Sequence, residues 1–343
     1  NVIMVVQPGQ LFHFLKLING FYVVVDKDFL PPVIFLMGPT AIGKTDFAKK
    51  ISEDWPVEVI SVDSAMVYKG MDIGTAKPSN EFLQKLPHHL INLRNPDEIY
   101  SVADFRKDAL LVIEEITARG NIPLLVGGTM LYFKILLDGI ADFPIINQEV
   151  RQSIIVDAKK YGWPKLYERL KEVDPDSALN LHPNHSRRIQ RALEVFYTTG
   201  ETFSSHLARQ TTETLPYRVS QFALWPVKRN DLHNCIESRF KSMLAKGLVE
   251  ELQDLREIYS LHEDLPSMRS VGYKQCWDFL ENRIDNAELV SKGIIATRRL
   301  AKKQLTWLRK WSNLTRLEVG ADYVASTNIN LAKISTVIED LLT

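Results

Sequence analysis

An α/β fold, with a parallel sheet flanked by helices and interrupted by an all-helical insertion, is what three features of this sequence predict. Apolar and β-branched runs at 33–37, 57–62 and 122–126 alternate with helical patterns, the rhythm of strand–helix–strand units. The first run leads without a break into a glycine-rich turn that opens a helix. From about 145 to 206 the strand pattern stops, and helical stretches are parted by Pro164, Pro175 and Pro183.

The glycine-rich turn is where chemistry is expected. Its residues, Gly38-Pro39-Thr40-Ala41-Ile42-Gly43-Lys44-Thr45, fit the phosphate-loop pattern G-x-x-x-x-G-K-[ST], and Phe47, Ala48 and Ile51 then recur at helical spacing. Glycines let the backbone curl so that successive N–H groups point inward at a polyphosphate. Lys44 adds a full positive charge, the helix N-terminus adds a partial one, and the Thr45 hydroxyl can hold a magnesium ion. The sheet is therefore expected to be P-loop NTPase-like, with a di- or triphosphate bound at this loop.

The remaining elements follow in order. Residues 57–62 read as a second buried parallel strand with Asp63 at its C-terminal end, where open α/β sheets gather ligand chemistry. An irregular loop at 64–77 carries Tyr68, Gly70, Gly74 and Lys77. A helix at 101–119 begins at Ser101, with Asp104 three residues on, and stops at Gly120. The strand at 122–126 closes on Gly127-Gly128-Thr129, and 130–137 is helical. After the insertion, whose clearest helix is 186–197, a strand pattern returns at 219–225. Helices are expected at 232–246 and 249–259, from Gly272-Tyr273 onward, and over 288–311; 315–319 supplies a last strand, and the helix-like stretch 329–342 is unassigned. The expected domains are an N-terminal extension of unknown role at 1–30, a core of 31–143 and 213–320, a helical insertion at 144–212, and a C-terminal helical tail at 321–343.

Composition narrows the class. A chain of 343 residues, 45% hydrophobic and 24% charged, has the make-up of a globular protein with room for two domains. Lys plus Arg equal Asp plus Glu at 42 each, so a nucleic-acid surface would have to come from local clustering. Cys235 and Cys276 have neither zinc spacing nor a disulfide framework, which fits a reducing, cytoplasmic setting. No apolar run is long enough to span a membrane, and the first thirty residues lack the features of a transit peptide or a secretory signal.

Asp63 is the sharpest candidate for chemistry: it can hold magnesium, accept a proton, or simply cap a helix. Thr129, at the same sheet edge, is a candidate for catalysis or for a helix cap. The strand before it lacks the terminal acid that a motor-type ATPase uses for magnesium. Arg187, Arg188 and Arg191 cluster on a predicted helix. Between Leu289 and Leu317 stand Lys292, Arg298, Arg299, Lys302, Lys303, Arg309, Lys310 and Arg316 with no acid, a footprint suited to a polyanion or to a solvated helix face. Trp307 and Trp311 are read on that same helix. His88 and His89 show no metal spacing. These residues alone leave open phosphoryl transfer, chemistry that expels a diphosphate, and a non-catalytic RNA-binding module with a nucleotide-gated loop.

Longer blocks are more specific. GPTAIGKT (38–45), ISVDSAMVYKGMDIGTAKP (60–78), HHLIN (88–92), PLLVGGTMLYFKILLDG (123–139), RRIQRALEVFYTTG (187–200), SRFKSMLAKGLVEEL (238–252), RSVGYKQ (269–275) and ATRRLAKKQLTWLRKW (296–311) resemble the tRNA dimethylallyltransferase family, bacterial type. The resemblance implies transfer of a dimethylallyl group from dimethylallyl diphosphate to the exocyclic amine of the adenosine just 3′ of the anticodon in tRNA. On that pattern residues 38–45 and Arg239 would bind the diphosphate, Thr45 magnesium, and Asp63 would be the general base beside Thr129. Positions matching tRNA contacts are Asp63, Ser64, Ala65, Met66, Thr129, Arg151, Arg187, Arg188, Ile189, Gln190, Arg191, Arg269, Ser270, Val271, Gly272, Tyr273 and Lys274. The expected partners are the tRNA anticodon stem-loop and the diphosphate, with no membrane, and the expected state is a monomer. Two departures stand out: Ile42 replaces a frequent small serine and is expected to trim space near the diphosphate, and Asn92 follows HHLI where Asp is usual.

Overall fold

The computed structural model describes residues 30–140, 147–209 and 215–342, together with the backbone of three strands before them. Pro144 and the boundaries drawn at 144 and 212 lie outside the described residues. The early strands β1 (Val2–Val5), β2 (His13–Ile18) and β3 (Phe21–Asp26) form an antiparallel sheet of their own in that order. The stretch read as an extension thus has regular backbone structure.

The main sheet begins with β4 (Pro32–Met37), followed by α1 (Lys44–Asp54), β5 (Val57–Val62), α2 (Asn80–Lys85), β6 (His88–His89), α3 (Val102–Ala118), β7 (Ile122–Gly127) and α4 (Met130–Asp138). A run of helices comes next: α5 (Gln148–Tyr161), α6 (Trp163–Val173), α7 (Pro175–Leu179), α8 (Ser186–Thr199) and α9 (Phe203–Ala208). The chain then adds β8 (Arg218–Pro226), α10 (Arg229–Ala245), α11 (Leu248–Ile258), α12 (Tyr273–Leu280), α13 (Asn286–Arg309), β9 (Thr315–Val319) and α14 (Tyr323–Leu342). Two compact units result, one of residues 1–135 with 216–343 and one of residues 136–215.

Six parallel strands lie in the order β6-β5-β7-β4-β8-β9. Register decides what meets at their carboxyl ends. Gly127 stands opposite both Met37 and Val62, so β4, β5 and β7 finish level. The chain leaves them at Gly38, Asp63 and Gly128, at the edge where parallel sheets hold ligands. The central strands β4 and β7 are apolar along their whole length because both faces are covered: β7 is buried at every position, and Phe35 meets Phe133 at 5.0 Å between ring centres.

On one face, Phe47, Ala48 and Ile51 of α1 pack with Ile34, Leu36, Leu124 and Val126. Ile334, Ile338 and Leu341 of α14 join the same cluster. Polar ties hold that last helix down: Trp55 Nε1 donates to Ser335 Oγ at 3.2 Å, and Asn330 Nδ2 to the Glu318 carbonyl at 2.9 Å. The segment left unassigned from sequence is therefore part of the core. Helix α13 stops at Arg309, so Trp311 lies beyond it rather than on it; its indole N–H donates to Gln221 Oε1 on β8 at 2.6 Å.

The second unit is wholly helical among its described residues, with Ile154, Leu166, Leu170, Ile189 and Leu193 in its core. Buried Asp174 caps α7 by accepting from the Ser177 amide at 3.1 Å and also takes the Ser204 amide at 3.0 Å. No helix among the described residues is long and apolar enough to cross a membrane.

Ile338→Ala is expected to lower the stability of the sheet unit by about 2–5 kcal/mol, the cost of truncating a fully buried aliphatic side chain. Urea unfolding measures it, and a change under about 0.5 kcal/mol would show that α14 is not part of the core.

Candidate functional site

The loop after β4 closes over its own backbone. Gly43 caps the start of α1 at φ 92°, a left-handed conformation, with no side chain supplying a cap. The N–H groups of Ala41, Ile42 and Gly43 find no acceptor among the described residues. Lys44 folds back over them, its ammonium donating to the carbonyls of Gly38 at 3.0 Å and Pro39 at 2.8 Å. Burial, reinforced by the nearby Arg239 and opposed by Asp63, brings the Lys44 amine down to about 7. Arg239 is lowered as well, by burial first, against the pull of Asp63 and Asp46. Free amides beside two dehydrated cations are the surroundings of an anion. Over the loop lies Tyr323 of α14, its hydroxyl donating to the Gly43 carbonyl at 3.0 Å.

Ile42 does not trim the space near an anion. Its side chain is buried in the core with α1, so only its backbone belongs to the loop.

Asp63 does two things at once. Its Oδ1 accepts from the amides of Ala65 at 2.8 Å and Met66 at 3.3 Å, the turn-capping use, and the residue also lines a cavity of about 410 Å³. The fixed carboxylate is thereby aimed by the backbone that follows it. Thr129 ties the neighbouring segments together, its Oγ1 accepting from the Ser64 amide at 3.2 Å.

The cavity brings together many of the residues expected from sequence: Thr40, Asp63, Ser64, Ala65, Thr129, Arg239, Arg269, Ser270, Val271, Gly272 and Tyr273. Gly38, Pro39, Ala41, Gly43, Lys44, Thr45, Met66 and Lys274 do not line it. Lys274 is exposed and lies 3.7 Å from Asp278. Unforeseen wall residues include Ile236, Phe240 and Met243 of α10 and Leu300 of α13, an apolar side facing the polar one. Gln304 is another: it is buried, accepts from the Thr40 amide at 2.8 Å and donates to the Gly128 carbonyl at 3.0 Å. Its only sequence signal is an uncharged polar residue on the apolar stripe of Ala301, Leu305 and Leu308.

Glu251 of α11 gave no such signal. Its carboxylate accepts from the amides of Asp72 at 2.9 Å, Ile73 at 2.7 Å and Gly74 at 3.2 Å, and from the Tyr273 hydroxyl at 2.5 Å. Burial and that carboxylate push the Tyr273 phenol upward, so it stays a donor. The same loop is pinned by Lys77, which donates to the Tyr68 carbonyl at 2.8 Å, Asp72 at 2.6 Å and Asn92 at 2.7 Å. Asn92 sits at φ 56°, which an asparagine tolerates well.

In the helical unit, Arg187 and Arg188 are exposed, while Ile189 is fully buried in the core and its side chain is not available to a partner, which corrects its place among the tRNA-contacting residues. Arg151 and Gln190 both donate to the buried carboxylate of Glu194 at 2.9 Å, and Arg191 lies 3.9 Å from it. On α13, Arg298 pairs with Glu237 at 3.0 Å and Lys292 with Glu288 at 2.9 Å, so those two charges are compensated. Arg316 stacks over Trp225 at 4.4 Å. Arg299, Lys302, Lys303, Arg309 and Lys310 remain exposed without an acidic partner among the described residues.

Thr45 stands in the first turn of α1, its hydroxyl without a partner among the described residues. There is no group of three or more His, Cys, Asp or Glu among the described residues that could hold a metal. A hydroxyl donor without a protein cage suits magnesium carried largely by waters and by a ligand's own phosphate oxygens.

Residues 66–311 match the model of the IPP transferase family. The tRNA isopentenylpyrophosphate transferase of Bacillus halodurans is 33% identical over 90% of this chain and 97% of its own, with a TM-score of 0.66. The tRNA delta(2)-isopentenylpyrophosphate transferase of Staphylococcus epidermidis is 33% identical over 90% and 99%, with a TM-score of 0.63. A eukaryotic dimethylallyltransferase acting on tRNA is 26% identical over 90% and 79%, with a TM-score of 0.76.

Because the Lys44 amine titrates lower in the folded chain than in the unfolded one, the folded state holds fewer protons between about pH 7 and 10.5. The penalty for charging Lys44 is full below that window, and stability from this group rises with pH across it. An anion in the loop favours the charged amine, so inorganic diphosphate is expected to bind with proton uptake at about pH 8. Calorimetry in buffers of different ionisation heat reads that uptake. Equal uptake by Lys44→Met would assign the proton elsewhere.

Proposed function

The chain belongs to the IPP transferase family, enzymes that modify tRNA, and on that premise we propose how its residues carry the reaction and with which substrates. The donor is dimethylallyl diphosphate, the acceptor is the exocyclic N6 amine of the adenosine 3′-adjacent to the anticodon, and diphosphate is released. The observation that carries this reading is the neighbourhood of Asp63. A carboxylate aimed by two backbone amides shares one cavity with the Thr40 end of the phosphate loop and with Arg239.

An allylic diphosphate loses its leaving group readily once the leaving charge is stabilised. The unpaired amides of 41–43, Lys44 and Arg239 supply that stabilisation, and both cations regain an opposite charge when the diphosphate settles. The carbon–oxygen bond breaks, the amine nitrogen bonds to the allylic carbon, and the proton leaving nitrogen goes to Asp63. The apolar wall of Ile236, Phe240 and Leu300 keeps water from the developing cation. Magnesium, held at Thr45, would add charge to the diphosphate oxygens.

An adenine in an anticodon loop must leave its stack to reach a recessed carboxylate. Arg269 and Ser270 line the cavity and present polar groups to the base and its backbone, and Arg187, Arg188 and the unpaired cations of α13 supply phosphate contacts. The working unit in this reading is a monomer, acting on cytoplasmic tRNA.

Radiolabelled dimethylallyl diphosphate with unmodified tRNA tests the reading; phosphate transfer from ATP in place of label transfer would point to a kinase instead. Asp63→Ala is expected to lower kcat by about 10²–10⁴-fold, the range of a lost general base, with little change in tRNA affinity. Near-normal turnover would remove Asp63 from that role. Lys302→Ala is expected to weaken tRNA binding evenly across sequences and to flatten the log–log salt slope by about 0.7–0.9. An unchanged slope would remove the contact.

A further inference from the structure

We propose that Gln304 is a positioning residue for the transfer step, fixing the spacing between the loop that holds the departing diphosphate and the carboxylate that takes the proton. This rests on the reading above and adds to it a residue that touches neither reacting atom.

Gln304 is the one uncharged polar side chain, glycine aside, among the buried positions of α13. An amide in an apolar stripe is costly unless both of its ends are satisfied. Both are: the carbonyl takes the Thr40 amide and the NH₂ group takes the Gly128 carbonyl. Gly128 has no side chain, and a methyl group there would collide with the Gln304 amide nitrogen. From Gly128 the connection continues to Thr129, whose hydroxyl holds the Ser64 amide, and Ser64 adjoins Asp63. An unbroken series of hydrogen bonds and peptide links therefore runs from the phosphate loop through Gln304 to the base.

The anchor of that series is rigid. Helix α13 is 24 residues long and begins with a capping box between Asp285 and Glu288. Gln304 is thus held by a helix while both partners are loops, so the helix sets where the loops lie. Its bond to Thr40 also spends an amide at the start of the loop and leaves those of Ala41, Ile42 and Gly43 for the anion. Only a group with a donor at one end and an acceptor at the other satisfies both partners. A carboxylate would face the Gly128 carbonyl oxygen and add a negative charge beside the diphosphate.

Gln304→Met fills a similar volume with neither bond, and Gln304→Asn keeps the amide but falls one methylene short of spanning the loops. Both variants are compared with the parent in dimethylallyl transfer to tRNA, in calorimetric binding of inorganic diphosphate, and in thermal unfolding. Both are expected to lose about 10- to 100-fold in kcat, the penalty of a slight misplacement. Affinity for inorganic diphosphate stays within about threefold, because the free amides and both cations remain. Normal kcat in either folded variant overturns the proposal. So does a fall in kcat matched by equal losses of diphosphate affinity and melting temperature, which would make Gln304 a structural brace. Absence of dimethylallyl transfer by the parent protein would instead overturn the underlying reading, and this proposal with it.

Discussion

Two cations withdrawn from water, with one carboxylate near them at the ends of parallel strands, are the constraint around which this protein is arranged. Burial lowers both cations, Arg239 lowers Lys44 further, and Asp63 partly relieves both. Such a grouping is unfavourable by itself and becomes favourable only with a polyanion beside it. Everything near it resists collapse: Asp63 is tethered by amides, the 72–74 loop is strapped to Glu251, and Lys77 is locked among three oxygens. A scaffold braced by these bonds suits electrostatic stabilisation of a leaving group, which works best with little rearrangement at the moment of reaction.

The division of the cavity wall suits the proposed reaction. Loops at the strand ends bring hydroxyls, amides and charge, whereas α10 and α13 bring Ile236, Phe240, Met243 and Leu300. A carbocation next to water would be captured as an alcohol, so an apolar side is as necessary as the charged one. The same helix α13 turns its remaining cations outward, where RNA phosphates suit them. One element thereby serves two opposite solvents, with its apolar stripe inside and its lysines outside.

Local signals were legible in the sequence and distant ones were not. The phosphate loop is eight consecutive residues, and the buried face of α1 has Phe47, Ala48 and Ile51 at helical spacing, so both could be read directly. Asp63 and Thr129 were legible because each closes a strand. Gln304 meets Thr40 across 264 positions and Glu251 meets Gly74 across 177, and no spacing rule links such pairs. Ile189 stands among the RNA contacts because the family resemblance covers 187–191 as one block, yet its side chain is fully buried while Arg187 and Arg188 are exposed. Charge counting on α13 overstated the free cations because Glu237, the partner of Arg298, belongs to another helix.

Strand β4, which carries the loop and begins at Pro32, is hydrogen-bonded on one side to β7, which begins at Ile122, and on the other to β8, which begins at Arg218. Tyr323, which roofs Gly43, is made later still. The loop is therefore framed by segments made long after it. The complete cradle, with Arg239 beside Lys44 and a tyrosine over Gly43, is thus a product of the whole fold rather than of the loop alone.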